Sequence, residues 1–589
     1  MLPTHHSDAG AALSRGRFSL RRISGRWLAI ICFLATITLL WFAAPVPYHL
    51  RPLESGLAPS DDKASPDTPL RPLPPPPSPP NGHIPSWEER KEAVRRAYIH
   101  AYTGYMKYAF PADELLATSA GKSNKFNGWS VTMLDSMDTM WMMGLKNEFA
   151  EAVHVYYYAP FFETVIRYLG GLLSAYAVSK EPILLSRADD LGTLLLPVFN
   201  ATPSGFPAYS VNTKTGQTMH GWMGDSILFA EAASCQLEFK YLAKLTGRKE
   251  YFTAVNNVMD VIYATNAPDG LFALTWSKEG RPRNGHLEHF SVGASADSGY
   301  EYLLKQYLLT EDTKALDQYL KSVDGILNKL LFVTPTRELL YVASTNNGFA
   351  HHNLEHLACF LPGVLALGAH AIPASLLPEK TRERHRWAAQ GLAYTCYVSY
   401  ADMKSGLGPD GLTMKPGMLW AEKVANWQAG GRVGKPPGTK EGGRRDQGQR
   451  DYEVGSAVYL LRPEVRVSSS VDRLDTDLWG QTVESLYVMW RTTGDVKWRE
   501  RGYEIFTAIE RNARTQYGYA SVDRVDNDVV QQIDDMPSFF LAETLKYLYL
   551  LFDDEDPYPF AKWVFNTEAH PLPTFQWTEW EKKRYNVTA

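Results

Sequence analysis

From Trp87 onward the chain reads as helix after helix, and that succession restricts it to architectures made by packing helical hairpins. The stretch 88–110 sets the pattern, with Val94, Ala97, Tyr98, Ala101 and Tyr105 on one face. Further helices are expected over 162–178, 225–245, 300–309, 313–331, 385–400 and 537–552. A weak repeat joins them in Leu245-Thr-Gly-Arg-Lys-Glu-Tyr251, Leu309-Thr-Glu-Asp-Thr-Lys314 and Thr493-Gly-Asp-Val-Lys-Trp498. Glycine stops one helix and an acidic residue starts the next. Repeated hairpins stack as an open solenoid or close into a toroid, and the sequence alone does not choose between them.

The length of 589 residues is enough for a large core and by itself suggests two or more domains. A net charge of −5 implies no polyanion partner, so nucleic acid is not expected. Aromatic residues make up 12% of the chain, which suits stacking on carbohydrate, but a large helical core accounts for most of them.

The N-terminus has its own logic. Residues 1–26 carry Arg15, Arg17, Arg21, Arg22 and Arg26, and 27–44 is an uncharged run of eighteen residues. That run is at the short end for a transmembrane helix and too long for an ordinary signal-peptide core. Pro45 and Pro47 follow it where a cleavage site would need small residues. An uncleaved signal anchor is expected, with the arginines cytosolic and the remainder in a secretory lumen. Residues 45–86 are a linker whose Pro-rich stretch 69–80 favours extended polyproline geometry and would act as a spacer. Of four cysteines, Cys32 lies in the apolar run and Cys235 reads as a buried helix face. Cys359 and Cys396 remain, and a lumenal compartment permits a bond between them. Asn200-Ala-Thr202 and Asn586-Val-Thr588 are glycosylation acceptors that fit the same compartment.

Six short blocks place acidic residues beside glycines, aromatics and one another. They are Leu134-Asp-Ser-Met-Asp-Thr139, Phe162-Glu-Thr-Val-Ile-Arg-Tyr-Leu-Gly-Gly171, Ala296-Asp-Ser298, Leu461-Arg-Pro-Glu464, Ser538-Phe-Phe-Leu-Ala-Glu543 and Val564-Phe-Asn-Thr-Glu-Ala-His-Pro-Leu572. In this order the set resembles the class I α-mannosidases of glycoside hydrolase family 47, which trim α-1,2-linked mannose from N-glycans. The resemblance runs from about Trp87 to about Pro573. It implies an all-α fold, an (α/α)7 barrel over 87–573, behind the transmembrane helix and Pro-rich linker, with 574–589 as a tail. It also implies a disulfide between Cys359 and Cys396.

Inverting glycoside hydrolysis uses one carboxyl to protonate the leaving oxygen and another to activate water. The resemblance assigns Glu163 as the acid, Asp297 as an assisting acid and Glu464 as the base. Arg167 lies four residues after Glu163, on the same helical face, and can pair with it. Out of context that is an ordinary salt bridge, and Asp297 alone would be read as a helix cap. Gly170 and Gly171 are places where backbone can approach a sugar. Calcium takes six to eight oxygen ligands, and the resemblance gives Thr567 the metal through its carbonyl and hydroxyl, with Glu543 and Glu568 orienting from outside. His356, Phe539, Arg462 and Glu484 match substrate-contact positions, and Glu231 and Glu301 are acidic pocket candidates. His351-His352 lacks partners at zinc-ligand spacing. Ser295 stands where reticulum-type relatives carry an arginine that reaches the glycan, so broader, Golgi-like trimming is open.

One departure interrupts the pattern. Residues 465–481 split Leu461-Arg-Pro-Glu464 from Thr482-Val-Glu-Ser485, which the family runs together. Those seventeen codons are in frame and about the size of a short fungal intron; valine codons begin with GT and Gln481 can be encoded ending in AG. The segment is expected to be a retained intron rather than a surface loop, although a loop insertion costs little in entropy. The expected protein is a calcium-dependent monomer in the membrane of the endoplasmic reticulum or Golgi, type II, acting on high-mannose N-glycans. The alternative is a mannosidase-like glycan-binding factor in the degradation of misfolded glycoproteins, with little hydrolysis; the paired cysteines favour the enzyme.

Overall fold

The first helix begins on a reciprocal cap. Glu89 N–H donates to Ser86 Oγ at 3.2 Å, and Ser86 N–H donates to the Glu89 carboxylate at 2.7 Å, so two otherwise orphaned amides are satisfied. The computed structural model describes residues 84–146, 158–221, 223–265, 267–283, 289–446, 448–461 and 482–587. The tail 1–26, the apolar run 27–44, nearly all of the linker, Arg462, Glu464 and 465–481 lie outside the described residues. Among the described residues no helix is long and apolar enough to cross a membrane.

Helix α1 is Trp87–Tyr108, followed by the short α2 (Val131–Asp135) and α3 (Met137–Met142). Then come α4 (Gly170–Ser179), α5 (Pro182–Leu195), α6 (Gln236–Thr246), α7 (Lys249–Tyr263), α8 (Asp297–Thr310) and α9 (Thr313–Lys329). The series ends with α10 (Leu361–Ala371), α11 (Glu379–Ala401), α12 (Thr482–Thr493), α13 (Lys497–Asn512) and α14 (Leu545–Phe552). Seven of these segments form a ring: α3, α4, α6, α8, α10, α12 and α14 each pack on the next, and the turn leading into α14 packs back on α3. Helices α5, α7, α9, α11 and α13 back the ring segment that precedes each of them, and α1 backs α14. The series therefore closes, which the repeat could not decide.

The two layers differ as their burial requires. In α9 only one stripe is buried, with Ala315, Leu316, Tyr319, Val323, Ile326 and Leu327 at helical spacing. In α10 every residue from Leu361 to Ala369 is buried, because it has neighbours on all sides. Each large apolar side chain so buried contributes about 1.5–3 kcal/mol. The punctuation works as read at Gly247 and Gly494, both left-handed with φ near 70°. At the second repeat, Leu309 to Lys314, Glu311 takes the left-handed position without glycine, and Asp312 caps α9 through Ala315 N–H.

Three readings need correction. The helix expected over 225–245 is broken: Phe229–Ala233 is one short helix, and α6 starts at Gln236. Ser234 leaves helical geometry to hydrogen-bond Ser298, and the Gln236 amide folds back onto Ala232 O, so side chains compete for the backbone. Cys235 is buried, but it caps α6 rather than lying on a helix face. Asp297 is the first residue of α8, not its cap; Ala296 holds the cap position.

Short antiparallel hairpins, invisible to the helical pattern, decorate the ends of the ring. In one, β1 (Tyr158–Pro160) pairs with β2 (Ser210–Asn212), which pairs with β3 (Thr218–Met219). Another, β4 (Trp563–Phe565) and β5 (Pro571–Pro573), is pushed into the ring axis. Cys359 and Cys396 are joined, closing a loop with a separation of 37 residues between α10 and α11. Loop-closure entropy gives such a bond about 4 kcal/mol. Cys396→Ser should therefore lower the melting temperature markedly; an unchanged melting temperature would remove the bond from the list of stabilising features.

Candidate active site

The floor of the site is the five-residue turn of the β4–β5 hairpin, Asn566 to His570. Asn566 organises it with every polar atom of its side chain. Its Oδ1 accepts from the N–H groups of Glu568 and His570, both at 2.9 Å, and its amide donates to Ile166 O at 2.9 Å and Glu238 at 2.7 Å. Ala569 takes the left-handed conformation that closes the turn. The ring holds this turn from several sides: Thr567 N–H donates to Tyr302 of α8 at 3.4 Å, and Lys546 of α14 donates to Ala569 O at 2.8 Å.

Gly170 and Gly171 serve this turn. A Cβ at Gly170 would lie 2.6 Å from the Asn566 amide nitrogen and 2.9 Å from the His570 ring, and one at Gly171 would lie 2.6 Å from Leu134 O. The backbone approach expected there is thus to the plugging turn and to α2.

Beneath the turn is a wholly buried charge network. His570 lies between Asp138 (3.0 Å) and Asp135 (3.3 Å). Asp138 also accepts from Lys546 at 2.9 Å and from Ser174 at 2.8 Å, and Ser538 donates to Asp135 at 2.5 Å. Burial pushes the Asp138 carboxyl up, but Lys546 and His570 outweigh it and hold the group at about 2. Burial likewise pushes Asp135 up, and His570 and Arg167 bring it below its ordinary value. For His570 burial acts downward, and the Asp138 charge together with the hydrogen bonds to Asp135 and Asp138 outweighs burial and the Lys546 charge, raising the imidazole above its ordinary value. The two carboxylates therefore favour its protonated form.

Arg167 connects this network to the predicted acid. Its guanidinium contacts Glu163 at 2.7 Å, Glu568 at 2.5 Å and Asp135 at 3.5 Å with no exposure of its own. The Phe126 and Phe539 rings lie 5.2 and 5.8 Å from it. Glu163 precedes a π-helical turn, Thr164–Leu169, and Glu543 lies in a second, Phe540–Thr544, which leads into α14. Such turns re-aim side chains and recur at functional sites. Glu163 keeps some exposure, whereas Phe539, Glu543, Thr567 and Glu568 are buried. Glu231 lies near enough for its charge to interact with Glu163, and burial pushes its carboxyl to about 7.

On the other side of Thr567, Lys305 forms an ion pair with Glu301 and reaches Glu484 at 3.3 Å and Asn566 O at 3.4 Å. Burial first, then the neighbouring Glu301 charge, pushes Glu484 to about 7, against the pull of Lys305. Its Oε1 accepts from Tyr547 at 3.1 Å; its Oε2 is buried with no hydrogen-bond partner among the described residues. Asp297 accepts from Ser298 N–H at 2.7 Å at the start of α8. His356, just before α10, is held between Tyr400 (2.7 Å) and Thr482 (3.1 Å) and is nearly fully buried. Ser295 is left-handed, and its carbonyl accepts from Ala230 N–H at 2.9 Å, beside Glu231.

Glu163, Asp297, His356, Glu484 and the Phe539–Glu543 turn thus all sit at N-terminal ends of ring segments, where helix dipoles point positive ends at one place. Among the described residues no three His, Cys, Asp or Glu side chains converge closely enough to hold a metal by themselves. Asp135, Asp138, Asn566 and His570 stood in the acidic blocks without a role, whereas Glu238, Lys305 and Lys546 carried no sequence signal of their own.

The sequence model of Glycosyl hydrolase family 47 matches residues 97–574. The endoplasmic reticulum mannosyl-oligosaccharide 1,2-alpha-mannosidase of Homo sapiens is 37% identical over 508 residues, covering 83% of this chain and 64% of its own length. Mannosyl-oligosaccharide 1,2-alpha-mannosidase IC of Homo sapiens is 35% identical over 500 residues, covering 82% of this chain and 70% of its own. The chain thus spans about two thirds of the length of these relatives. Among solved structures, the alpha-1,2-mannosidase from Trichoderma reesei superposes with a TM-score of 0.69 at 28% identity, covering 82% of this chain and 99% of its own. The helical fold is shared with that enzyme, and the chain belongs to glycosyl hydrolase family 47.

Proposed function

We propose that the protein hydrolyses terminal α-1,2-linked mannose from high-mannose N-glycans, by inversion, in an (α/α)7 barrel. The observation that carries this reading is the set of acidic side chains at the N-terminal ends of the ring segments, around the turn from Asn566 to His570. One acid with a share of exposure, Glu163, is held by Arg167 to a buried floor built on Thr567 and Glu568. A sugar entering along the axis meets oxygen acceptors and helix N-termini on all sides. Glu163 gives its proton to the leaving oxygen, Asp297 assists, and Glu464 takes a proton from the attacking water. Arg167 keeps the Glu163 carboxylate oriented.

A calcium ion fits the floor. The groups around Thr567 are hard oxygens, and Glu484 Oε2 is a buried acceptor with no hydrogen-bond partner among the described residues, on a carboxylate that shares Lys305 with Glu301. Thr567 would hold the ion through its carbonyl and hydroxyl, with Glu484, Glu543 and Glu568 oriented around its waters. When bound, the ion would supply a Lewis-acidic site for hydroxyls of the sugar. Excess chelator should lower the melting temperature as well as stop turnover, and Thr567→Ala should weaken the dependence. Identical melting with and without chelator would remove the metal from this reading.

The secretory lumen, the N-terminal anchor over 27–44, the monomeric state and glycans at Asn200 and Asn586 belong to the same proposal. The Cys359–Cys396 bond supports an enzyme over a glycan-binding factor. Incubating the purified protein with a nine-mannose N-glycan and following the released sugar by NMR tests the whole: β-mannose should appear first. Release of no mannose refutes the activity, and α-mannose first refutes inversion.

A further inference from the structure

The β1–β2–β3 sheet stands beside the predicted acid and has no part in the mechanism so far. Tyr209, just before β2, accepts a hydrogen bond through its carbonyl from Phe161 N–H at 2.7 Å, two residues before Glu163. Its ring is 37% exposed, which is unusual for a large side chain this close to a buried charged floor. The ring is fixed from behind: a Cβ at Gly221 would lie 2.7 Å from its Cγ and Cδ2. Burial, then the charges of Glu231 and Glu163, raise the phenol above its ordinary value, so the ring stands within the field of both carboxylates. The sheet therefore presents the Tyr209 ring to solvent at the edge of the acid.

The chemistry says what meets it. The mannose to be removed lies inward, toward Thr567; the oxygen that Glu163 protonates belongs to the next sugar, on the solvent side. A hexose has a face of C–H groups that packs on an aromatic ring while its hydroxyls bond elsewhere, and tyrosine is a rigid surface for it. We propose that Tyr209 is the platform for the saccharide unit on the leaving side of the cleaved bond. This deepens the mannosidase reading and rests on it.

Two variants and two substrates test it. With α-1,2-mannobiose and with a nine-mannose glycan, Tyr209→Ala should raise KM about tenfold, with the smaller share of the loss in kcat. Tyr209→Phe should stay within twofold of the parent, because the ring and not the hydroxyl carries the contact. Melting temperatures of both variants should match the parent within a few degrees. A KM unchanged in Tyr209→Ala overturns the proposal, as does a Tyr209→Phe variant as impaired as Tyr209→Ala. If the parent turns over neither substrate, the mannosidase reading fails separately. Calorimetric titration with the nine-mannose glycan then decides the platform: weaker binding by Tyr209→Ala supports it, and equal binding, or none by the parent, overturns it.

Discussion

Glu163→Gln is expected to lower kcat about 10²–10⁴-fold on a nine-mannose glycan while leaving the melting temperature within a few degrees of the parent. The amide keeps the shape of the side chain but has no proton to give. Arg167 exchanges one carboxyl partner for an amide and keeps two others, Glu568 at 2.5 Å and Asp135 at 3.5 Å, so the floor stays in place. Glycan affinity should change little, because the sugar is held by the site and not by the transferred proton. A variant that retains more than a tenth of the parent kcat would move the proton donor elsewhere. Asp297 is then the next candidate, because its carboxylate also sits at the N-terminal end of a ring helix. The same experiment separates acid catalysis from orientation. Arg167→Ala should be worse for stability than for the proton-transfer step, because it removes the guanidinium from the buried carboxylates of Glu568 and Asp135.

The helical succession was legible because apolar residues at a spacing of three and four leave no other regular option, and α9 shows that stripe almost without exception. Closure was not, because it depends on the turn before α14 meeting α3, and on α14 meeting α1, across most of the chain's length. Hairpins of three-residue strands carry too short a pattern to be read, yet one of them forms the floor of the site and another its proposed platform. The site residues divide in the same way. Glu163 and Arg167 were visible as a pair because the spacing of four survives even where the backbone takes a π turn. His570 and Lys546 were not, because a histidine in a tail and a lysine in a helix have no distinguishing spacing. Their role comes from Asp138, more than four hundred residues earlier. Gly170 and Gly171 were read as meeting sugar because a glycine pair announces close approach without saying by what; the contacting groups are Asn566, His570 and Leu134.

His570→Ala should destabilise the protein by about 3–5 kcal/mol and reduce activity through displacement of Thr567 and Glu568 rather than through the chemistry itself. The imidazole is fully buried between two carboxylates and packs against Gly170 and Gly171. Removing it leaves Asp135 and Asp138 with Arg167 and Lys546 alone and opens a cavity beneath the plugging turn. The pH dependence carries the signature. Asp138 is held at about 2, below its ordinary value of about 3.9, so its contribution is present above about pH 4 and is lost as pH falls through its folded value. His570 is raised above its ordinary value of about 6.5, so its contribution is complete below about pH 6.5 and is lost as pH rises through its folded value. The network therefore stabilises most between about pH 4 and 6.5. Urea unfolding across pH should show an alkaline loss in the parent that His570→Ala lacks. A variant as stable as the parent at pH 6, or one that keeps the alkaline loss, would show that the turn is held by Asn566 and the ring helices without the buried imidazolium.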